Sequence, residues 1–296
     1  MIIGLVGLGR MGGAMAQRLA EQGFELVGWD HDRNAAGAAG KRGLRIAADA
    51  REVAAQSDIV ISIITEDSGV RKLFTGDIGF LEADVAGKLF IDMSTLRPAT
   101  GRELAPVVAT RGARLIEAPV LGTIPSVRDG KLFALVGGEA KDVERARPVL
   151  DKLARRIVHL GGNGSGYAMK LAVNLGLGAY IEALAESLAL GARQGLTLDQ
   201  MLDVLKEAPT ATRWLTAKLP VLKGEKADIT LDLVTLRKDL MSAVATGAAT
   251  GVAMPVAAGT LAALSAAVAA GAGRGDLAEL ARFVRDHMVQ TYGDEP

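Results

Sequence analysis

The chain contains no cysteine, which excludes disulfides, thiolate metal sites and a cysteine nucleophile. It has no excess of either charge. Lys+Arg and Asp+Glu balance at 34 each, so no overall field draws the protein to nucleic acid or to an anionic membrane. No metal site, internal repeat or low-complexity linker is read from it. The N-terminus lacks a basic segment and a small-residue cleavage site, so the cytoplasm is the expected compartment. The 296 residues are instead rich in apolar side chains, at 49%, enough for one or two well-packed domains. One uncharged stretch, Leu240 to Gly273, is long enough on paper to cross a bilayer. It is mostly Ala, Gly, Ser and Thr, and Met254-Pro255 interrupts it, so buried helices at a subunit interface are expected there.

The most informative segment is the first. An apolar strand, Ile2 to Val6, runs into Gly7-Leu8-Gly9-Arg10-Met11-Gly12, a G-x-G-x-x-G fingerprint, and then into a helix over about Arg10 to Glu21. Gly7 allows the tight turn, Gly9 the approach of a pyrophosphate, and Gly12 close packing of helix on strand. The helix start aims N–H groups and its positive end at the phosphates. A second apolar run, Phe24 to Trp29, ends at Asp30, the acid expected on the adenosine ribose. These residues together predict a dinucleotide site.

Short apolar runs and helical patterns then alternate to about residue 160. Strands are expected at Asp58–Ile64, Lys88–Asp92, Arg114–Glu117, Leu132–Val136 and Ile157–Leu160, with helices near Asp49–Gln56, Pro98–Thr110 and Ala140–Leu153. Such repetition implies a parallel, doubly wound sheet covered on both faces. Thr65-Glu66-Asp67 and Ser94-Thr95 follow two of its strands and should lie near the cofactor, beyond the carboxyl ends. After Gly161-Gly162-Asn163-Gly164 the pattern becomes helical throughout, beginning with a run of about thirty residues from Gly166 to Gln194, roughly 43 Å long. The domains are therefore expected at 1–163, dinucleotide-binding, and 164–296, all-helical, with a frayed tail at Gly293 to Pro296.

Three elements carry polar residues suited to chemistry. In the long helix Lys170 and Asn174, four apart, share a face, and its first turns would face the nicotinamide across an interdomain cleft. Spacing alone also suits a solvated lysine. Lys238, at the start of another apolar helix, would ease proton exchange at Lys170 if the two lysines converged, or would simply pair with Asp239. Glu117-Ala118-Pro119-Val120-Leu121-Gly122-Thr123 follows a strand, and Gly122 frees backbone N–H groups for a carboxylate. A rigid turn into an Asp129-Gly130 hairpin fits the same residues.

In order along the chain, GLGRMG (Gly7–Gly12), DMST (Asp92–Thr95), EAPVLGT (Glu117–Thr123), GSGYAMKLAVN (Gly164–Asn174) and RKDL (Arg237–Leu240) resemble the β-hydroxyacid dehydrogenase family. This is the family of 3-hydroxyisobutyrate dehydrogenases, tartronate semialdehyde reductases and glyoxylate/succinic semialdehyde reductases. The resemblance covers essentially the whole chain. It implies a Rossmann domain, an all-α domain built on a long interdomain helix, and a homodimer or homotetramer joined through the helices. It also implies a small hydroxy acid or aldehyde acid as substrate. By the same resemblance Lys170 is the catalytic acid/base, Asn174 orients the substrate, Lys238 and Thr95 contact the cofactor, and Gly122 and Thr123 belong to the carboxylate loop.

The chain departs from the family pattern in places. Leu121 stands where the family loop has serine, shifting the expected substrate toward something bulkier or less polar. TIPSVRDG (Thr123–Gly130) looks more like the glyoxylate/succinic semialdehyde reductase branch. Asp30-His31-Asp32 replaces the Asn-Arg-Thr or Asn-Arg-Ser of NADP-using relatives, so NAD is expected, with Arg33 leaving NADP possible. Arg213, beside Trp214, is a further candidate carboxylate clamp. Imine reductases share the architecture but usually carry Asp or Tyr at the Lys170 position. A non-catalytic nucleotide sensor would not need the Lys170–Asn174 pair.

Overall fold

A computed structural model describes residues 1–226 and 229–291; the tail from Gly293 to Pro296 lies outside them. The chain divides into two compact units between Leu171 and Ala172.

The first unit opens with β1 (Ile2–Val6), α1 (Arg10–Glu21), β2 (Glu25–Trp29), α2 (Arg33–Lys41), β3 (Arg45–Ile46), α3 (Ala50–Gln56), β4 (Ile59–Ser62), α4 (Asp67–Thr75), β5 (Leu89–Asp92), α5 (Pro98–Thr110) and β6 (Arg114–Glu117). The strands pair in parallel in the order β3-β2-β1-β4-β5-β6. Strand order reverses between β1 and β4, and their carboxyl ends border the crevice in which doubly wound sheets bind ligands. β4 (IVIS) and β5 (LFID) are buried throughout because both faces of the sheet are covered. Met15, Leu19 and Ile91 pack on one face. On the other, Phe74, Phe80 and Phe90 interlock with ring centroids 5.0–5.2 Å apart. Local signals set the helix starts. Asp49 caps α3 by accepting the Glu52 N–H, and Pro98 occupies the first helical position of α5.

The alternation does not continue in the same sheet. β7 (Val120–Leu121), β8 (Leu132–Val136) and β9 (Ala154–His159) form a separate three-stranded sheet, β7 antiparallel and β9 parallel to β8. β7 and β8 pair as a hairpin whose connection contains α6 (Ile124–Arg128) and ends at Gly130, φ 66°. α7 (Ala140–Leu153) leads to β9, which starts earlier than its apolar residues indicate. As an edge strand it tolerates the exposed Arg155 and Arg156, and Arg156 stacks over the Phe133 ring at 4.9 Å.

α8 (Ser165–Arg193) begins in the first unit. Tyr167, in its first turn, is buried in the core of the sheet's Phe74 face, which ties the start of α8 to that unit although helical sequence already begins at Gly164. Among the described residues α8 is the helix long and apolar enough to cross a membrane by length and composition.

The second unit continues with α9 (Leu198–Leu205), α10 (Arg213–Leu222), α11 (Leu233–Thr250), α12 (Pro255–Ala269) and α13 (Glu279–Thr291). Its core gathers Ile181, Leu184 and Leu188 of α8 with Leu215, Leu240 and Leu264. The uncharged stretch resolves into the end of α11, a turn with Gly251 at φ 73°, and α12. Within this core Lys218 and Asp276, both nearly inaccessible, form an ion pair at 2.6 Å.

Candidate active site

The fingerprint has the geometry that its glycines predict. Gly7 follows β1 at φ 91°, and a Cβ there would lie 2.1 Å from the Ile63 carbonyl oxygen. At Gly12 a Cβ would lie 1.8 Å from the Gly7 carbonyl oxygen. Side chains are excluded at both positions. Around Gly9, by contrast, a Cβ would meet nothing within 4 Å, and no side chain caps α1 there. A helix start with N–H groups beside open space fits the diphosphate of a dinucleotide. Leu8 and Met11 pack their side chains on the core, Leu8 completely, so they serve the fingerprint through the backbone; Arg10 is exposed.

Beside the fingerprint lies a cavity of about 810 Å³ bordered by Gly7, Asp30, His31, Arg33, Thr65 and Lys72. Asp30 is pinned at its edge: Oδ2 accepts the Leu8 N–H (2.6 Å), Oδ1 accepts the Asp32 N–H (2.8 Å), and His31 Nδ1 lies 3.2 Å from Oδ1. Asp30 therefore links the fingerprint to the end of β2, where its remaining lone pairs suit ribose hydroxyls. Asp32, read from sequence as a charge opposing a phosphate, is the N-cap of α2 and accepts the Asn34 N–H at 2.9 Å. The helix end thus offsets part of its charge. Lys72, on α4, is a groove cation that sequence reasoning missed, because the helix presenting it was itself not read.

Of the two segments expected to follow strands toward the cofactor, Thr65 and Glu66 border the groove. Asp67 is engaged by the Arg97 N–H (3.1 Å) and the Thr100 hydroxyl. Ser94 is 1% exposed, and its hydroxyl accepts from the N–H of Ile64, a groove residue (3.0 Å), and donates to Asp92 (3.2 Å). The hydroxyl holds the loops together and does not face the groove. Thr95 is half-buried.

Beneath these loops is an acidic cluster with no counterpart in the sequence reading. Asp92, the last residue of β5, is fully buried and accepts from Ser62 Oγ (2.5 Å), the Tyr167 hydroxyl (2.7 Å) and the Ser94 N–H (3.0 Å). Burial lifts its pKa above the usual carboxylate range, against the pull of these donors. Glu117, the last residue of β6, accepts the Gly164 N–H (2.5 Å) and the Tyr167 N–H (3.3 Å). Burial, opposed by those N–H groups, brings its pKa up to about 7. Burial first, then Asp92 and Glu117, raise Tyr167 well above its ordinary value. An acid closing each of two apolar strands was the available signal.

The loop after β6 contains Leu121, half-buried in β7 opposite Phe133, and Gly122 at φ 141°. Thr123 is the N-cap position of α6, with its hydroxyl 3.4 Å from that of Ser126. Gly166 lets α8 approach β8: a Cβ there would lie 2.5 Å from the Leu135 carbonyl oxygen. Lys170, half-buried, and Asn174, buried, lie one turn apart on α8.

In the second unit, Asn174 Nδ2 donates to Asp239 Oδ2 at 2.6 Å, and Asp239 Oδ1 pairs with Lys238 Nζ at 2.7 Å. Of the two readings of Lys238, the pairing with Asp239 is the one seen here, and Asp239 in turn fixes the amide of Asn174. One Nδ2 hydrogen is thereby committed and the other retained. No local pattern announces a pair 65 residues apart. Arg213 is exposed at the start of α10, while Trp214 packs edge-on against Tyr180 at 5.9 Å and serves the core.

Residues 2–161 match the family described as the NAD binding domain of 6-phosphogluconate dehydrogenase, and residues 164–284 match the NAD-binding domain of NADP-dependent 3-hydroxyisobutyrate dehydrogenase. The chain is 38% identical to a 3-hydroxyisobutyrate dehydrogenase of Pseudomonas aeruginosa over 70% of its own length and 69% of that protein. It is 30% identical to glyoxylate/succinic semialdehyde reductase 1 of Arabidopsis thaliana over 83% of its length and 86% of that protein. In structure it is similar to the Mycobacterium tuberculosis 3-hydroxyisobutyrate dehydrogenase described with L-serine. That match has a TM-score of 0.85 and 29% identity, covering 96% of this chain and 99% of that one.

Proposed function

Because the chain belongs to the β-hydroxyacid dehydrogenase family, we propose that it is an NAD(P)-dependent oxidoreductase acting on a small β- or γ-hydroxy acid or the corresponding aldehyde acid. The observation that carries this reading is the glycine fingerprint with its groove in a chain that also bears Lys170 and Asn174 on one helix face. When bound, the nicotinamide supplies or accepts the hydride at the carbinol carbon. Gly7, Gly9 and Gly12 hold the diphosphate and Asp30 the ribose. Lys170 takes the hydroxyl proton in oxidation and returns a proton to the carbonyl oxygen in reduction. Asn174, oriented by Asp239, holds that oxygen, and the N–H groups of Gly122 and Thr123 hold the carboxylate. Lys238 and Thr95 contact the cofactor, and Arg213 is a further carboxylate partner. The relatives' named substrates, 3-hydroxyisobutyrate and succinic semialdehyde, are small acids of this class. Initial rates of NADH oxidation with glyoxylate, succinic semialdehyde, tartronate semialdehyde and methylmalonate semialdehyde test the reading. Turnover of at least one is expected, and binding of NADH without turnover of any would contradict it.

The cofactor preference follows from Asp30. A 2′-phosphate would meet that carboxylate at close range, with Glu66 also on the groove, and Arg33 and Lys72 are the arginine and lysine that line it in compensation. The expected result is a higher kcat/KM with NADH than with NADPH on one aldehyde acid. A tenfold preference for NADPH would assign Arg33 and Lys72 to the phosphate.

Leu121 leaves the carboxylate loop without a hydroxyl. Leu121→Ser is therefore expected to lower KM for small acids at least about tenfold, one hydrogen bond to a charged group contributing about 1.5–3 kcal/mol. An unchanged KM for both glyoxylate and the C4 semialdehydes would remove this loop from carboxylate binding. The reading includes a cytoplasmic homodimer or homotetramer, supported by large apolar side chains exposed on the second unit: Leu190, Val204, Met241, Val252 and Val256.

A further inference from the structure

We propose that Glu117 is the positioning residue for Lys170: its ionised carboxylate ties down the start of α8, and its protonation loosens that start. The proposal rests on Lys170 as the acid/base. Glu117 holds both ends of the first turn, the N–H of Gly164 just before the helix and that of Tyr167 within it. Tyr167 lies one turn before Lys170, on the same face. The carboxyl has no room to swing elsewhere. Cβ atoms added at Gly101, Gly137 and Gly166 would lie 2.8, 3.0 and 3.1 Å from Glu117 Oε1, Cδ and Cγ, so three backbones close around it.

The titratable groups bearing on Glu117 are Asp92 from β5 and Tyr167 from α8, and the charged neighbour of the Gly164 that it holds is Arg102 from α5. Arg102 reaches over Gly164, where a Cβ would lie 2.6 Å from its Nη1. A carboxylate accepts both α8 N–H groups at once. A neutral carboxyl loses the charge that strengthens both bonds, charge-assisted hydrogen bonds being roughly twice as strong as neutral ones, so the hold on the helix start weakens. Ser165 Oγ is buried without a hydrogen bond, and the position 3.0 Å from Glu117 Cδ where a Gly137 Cβ would sit is only 2.8 Å from that hydroxyl. With a value of about 7, this loss of charge falls near neutral pH.

Stability and activity should then move in opposite directions. Because the folded-state value lies above the ordinary 4.5, the contribution of Glu117 to stability is full below that value. It is lost as pH rises through about 7. Activity, which needs the ionised cap, should rise over the same range. A merely structural role would depress activity by a factor that does not follow this ionisation.

The test is the ratio of kcat/KM between the native enzyme and Glu117→Gln across pH, which cancels every other titration the two share. The expected ratio is near one at about pH 5.5 and about tenfold at about pH 8.5, with its midpoint near neutrality. Glu117→Asp should restore the rise. A ratio independent of pH would overturn the proposal. Should Glu117→Gln fail to fold, hydrogen-exchange protection of the Gly164 and Tyr167 amides in the native protein decides. Protection is expected to grow about tenfold between about pH 6 and pH 8, and flat or falling protection would overturn the proposal. Lys170→Met separates the two levels. Full activity in that variant removes the acid/base reading and the positioning role with it. An inactive Lys170→Met beside a flat ratio overturns the positioning role alone.

Discussion

Lys170→Met is expected to lower turnover by at least about 100-fold, the low end for loss of a general acid/base, while leaving NADH affinity close to native. Methionine keeps most of the aliphatic stem, so the half-buried position on α8 stays filled and the change is confined to the proton-carrying nitrogen. The groove, the fingerprint and Asp30 are untouched by the substitution. Steady-state rates with a small aldehyde acid, set beside a fluorescence titration of NADH, provide the measurement. Near-normal turnover would take Lys170 out of the mechanism. Equal loss of turnover and cofactor affinity would mean that it acts by holding the fold or the cofactor.

The second large effect is on stability. Lys218→Met should destabilise the protein by about 3–5 kcal/mol at neutral pH, because removal of one partner leaves the other charge buried and unpaired. Asp276 is 1% exposed and Lys218 6%, so water cannot take over the lost contact. Asp276 keeps the N–H of Thr230 (2.9 Å) and of Ala278 (3.0 Å), which favours the lower end of that range. The pair joins α10 to the segments around Thr230 and Asp276, so the loss should appear as unfolding of the helical unit at lower urea. A change below about 0.5 kcal/mol, typical of a surface site, would show that the pair contributes nothing to the fold.

What could be read from the sequence was what chemistry encodes locally. The fingerprint is legible because the spacing of its glycines is itself the message, although only Gly12 answers to a contact within the turn, the Gly7 carbonyl oxygen, while Gly7 answers to Ile63 far along the chain. α5 and α7 are legible from Pro98 at one helix start and from apolar periodicity in both. α2 was not: RNAAGAAGK has no apolar stripe, and its start depends on Asp32 acting as a cap, an aspartate that reads equally well as a groove charge. β7 itself was not read as a strand, since two residues show no alternation, although the hairpin through Asp129-Gly130 that pairs it antiparallel with β8 was among the readings of that segment.

The site divides along the same line. Leu8 and Ser94 were assigned to the cofactor by position in a motif, and the structure turns the leucine side chain and the serine hydroxyl into the protein. Glu117 and Asp239 lay in quoted motifs without a role of their own. Their partners, Gly164 and Asn174, are 47 and 65 residues away in sequence, a separation that only the folded chain closes.

The central claim is hydride transfer to the carbonyl carbon of a small acid, and isotope transfer tests it most directly. NADH carrying deuterium at both C4 positions is incubated with the native protein and a small aldehyde acid, and the product is read by mass spectrometry and proton NMR. The expected product is the hydroxy acid with a single deuterium on its carbinol carbon. Retention of all deuterium in bound NADH, with no deuterated acid formed from any of the semialdehydes, would contradict the account and leave the chain a nucleotide-binding protein.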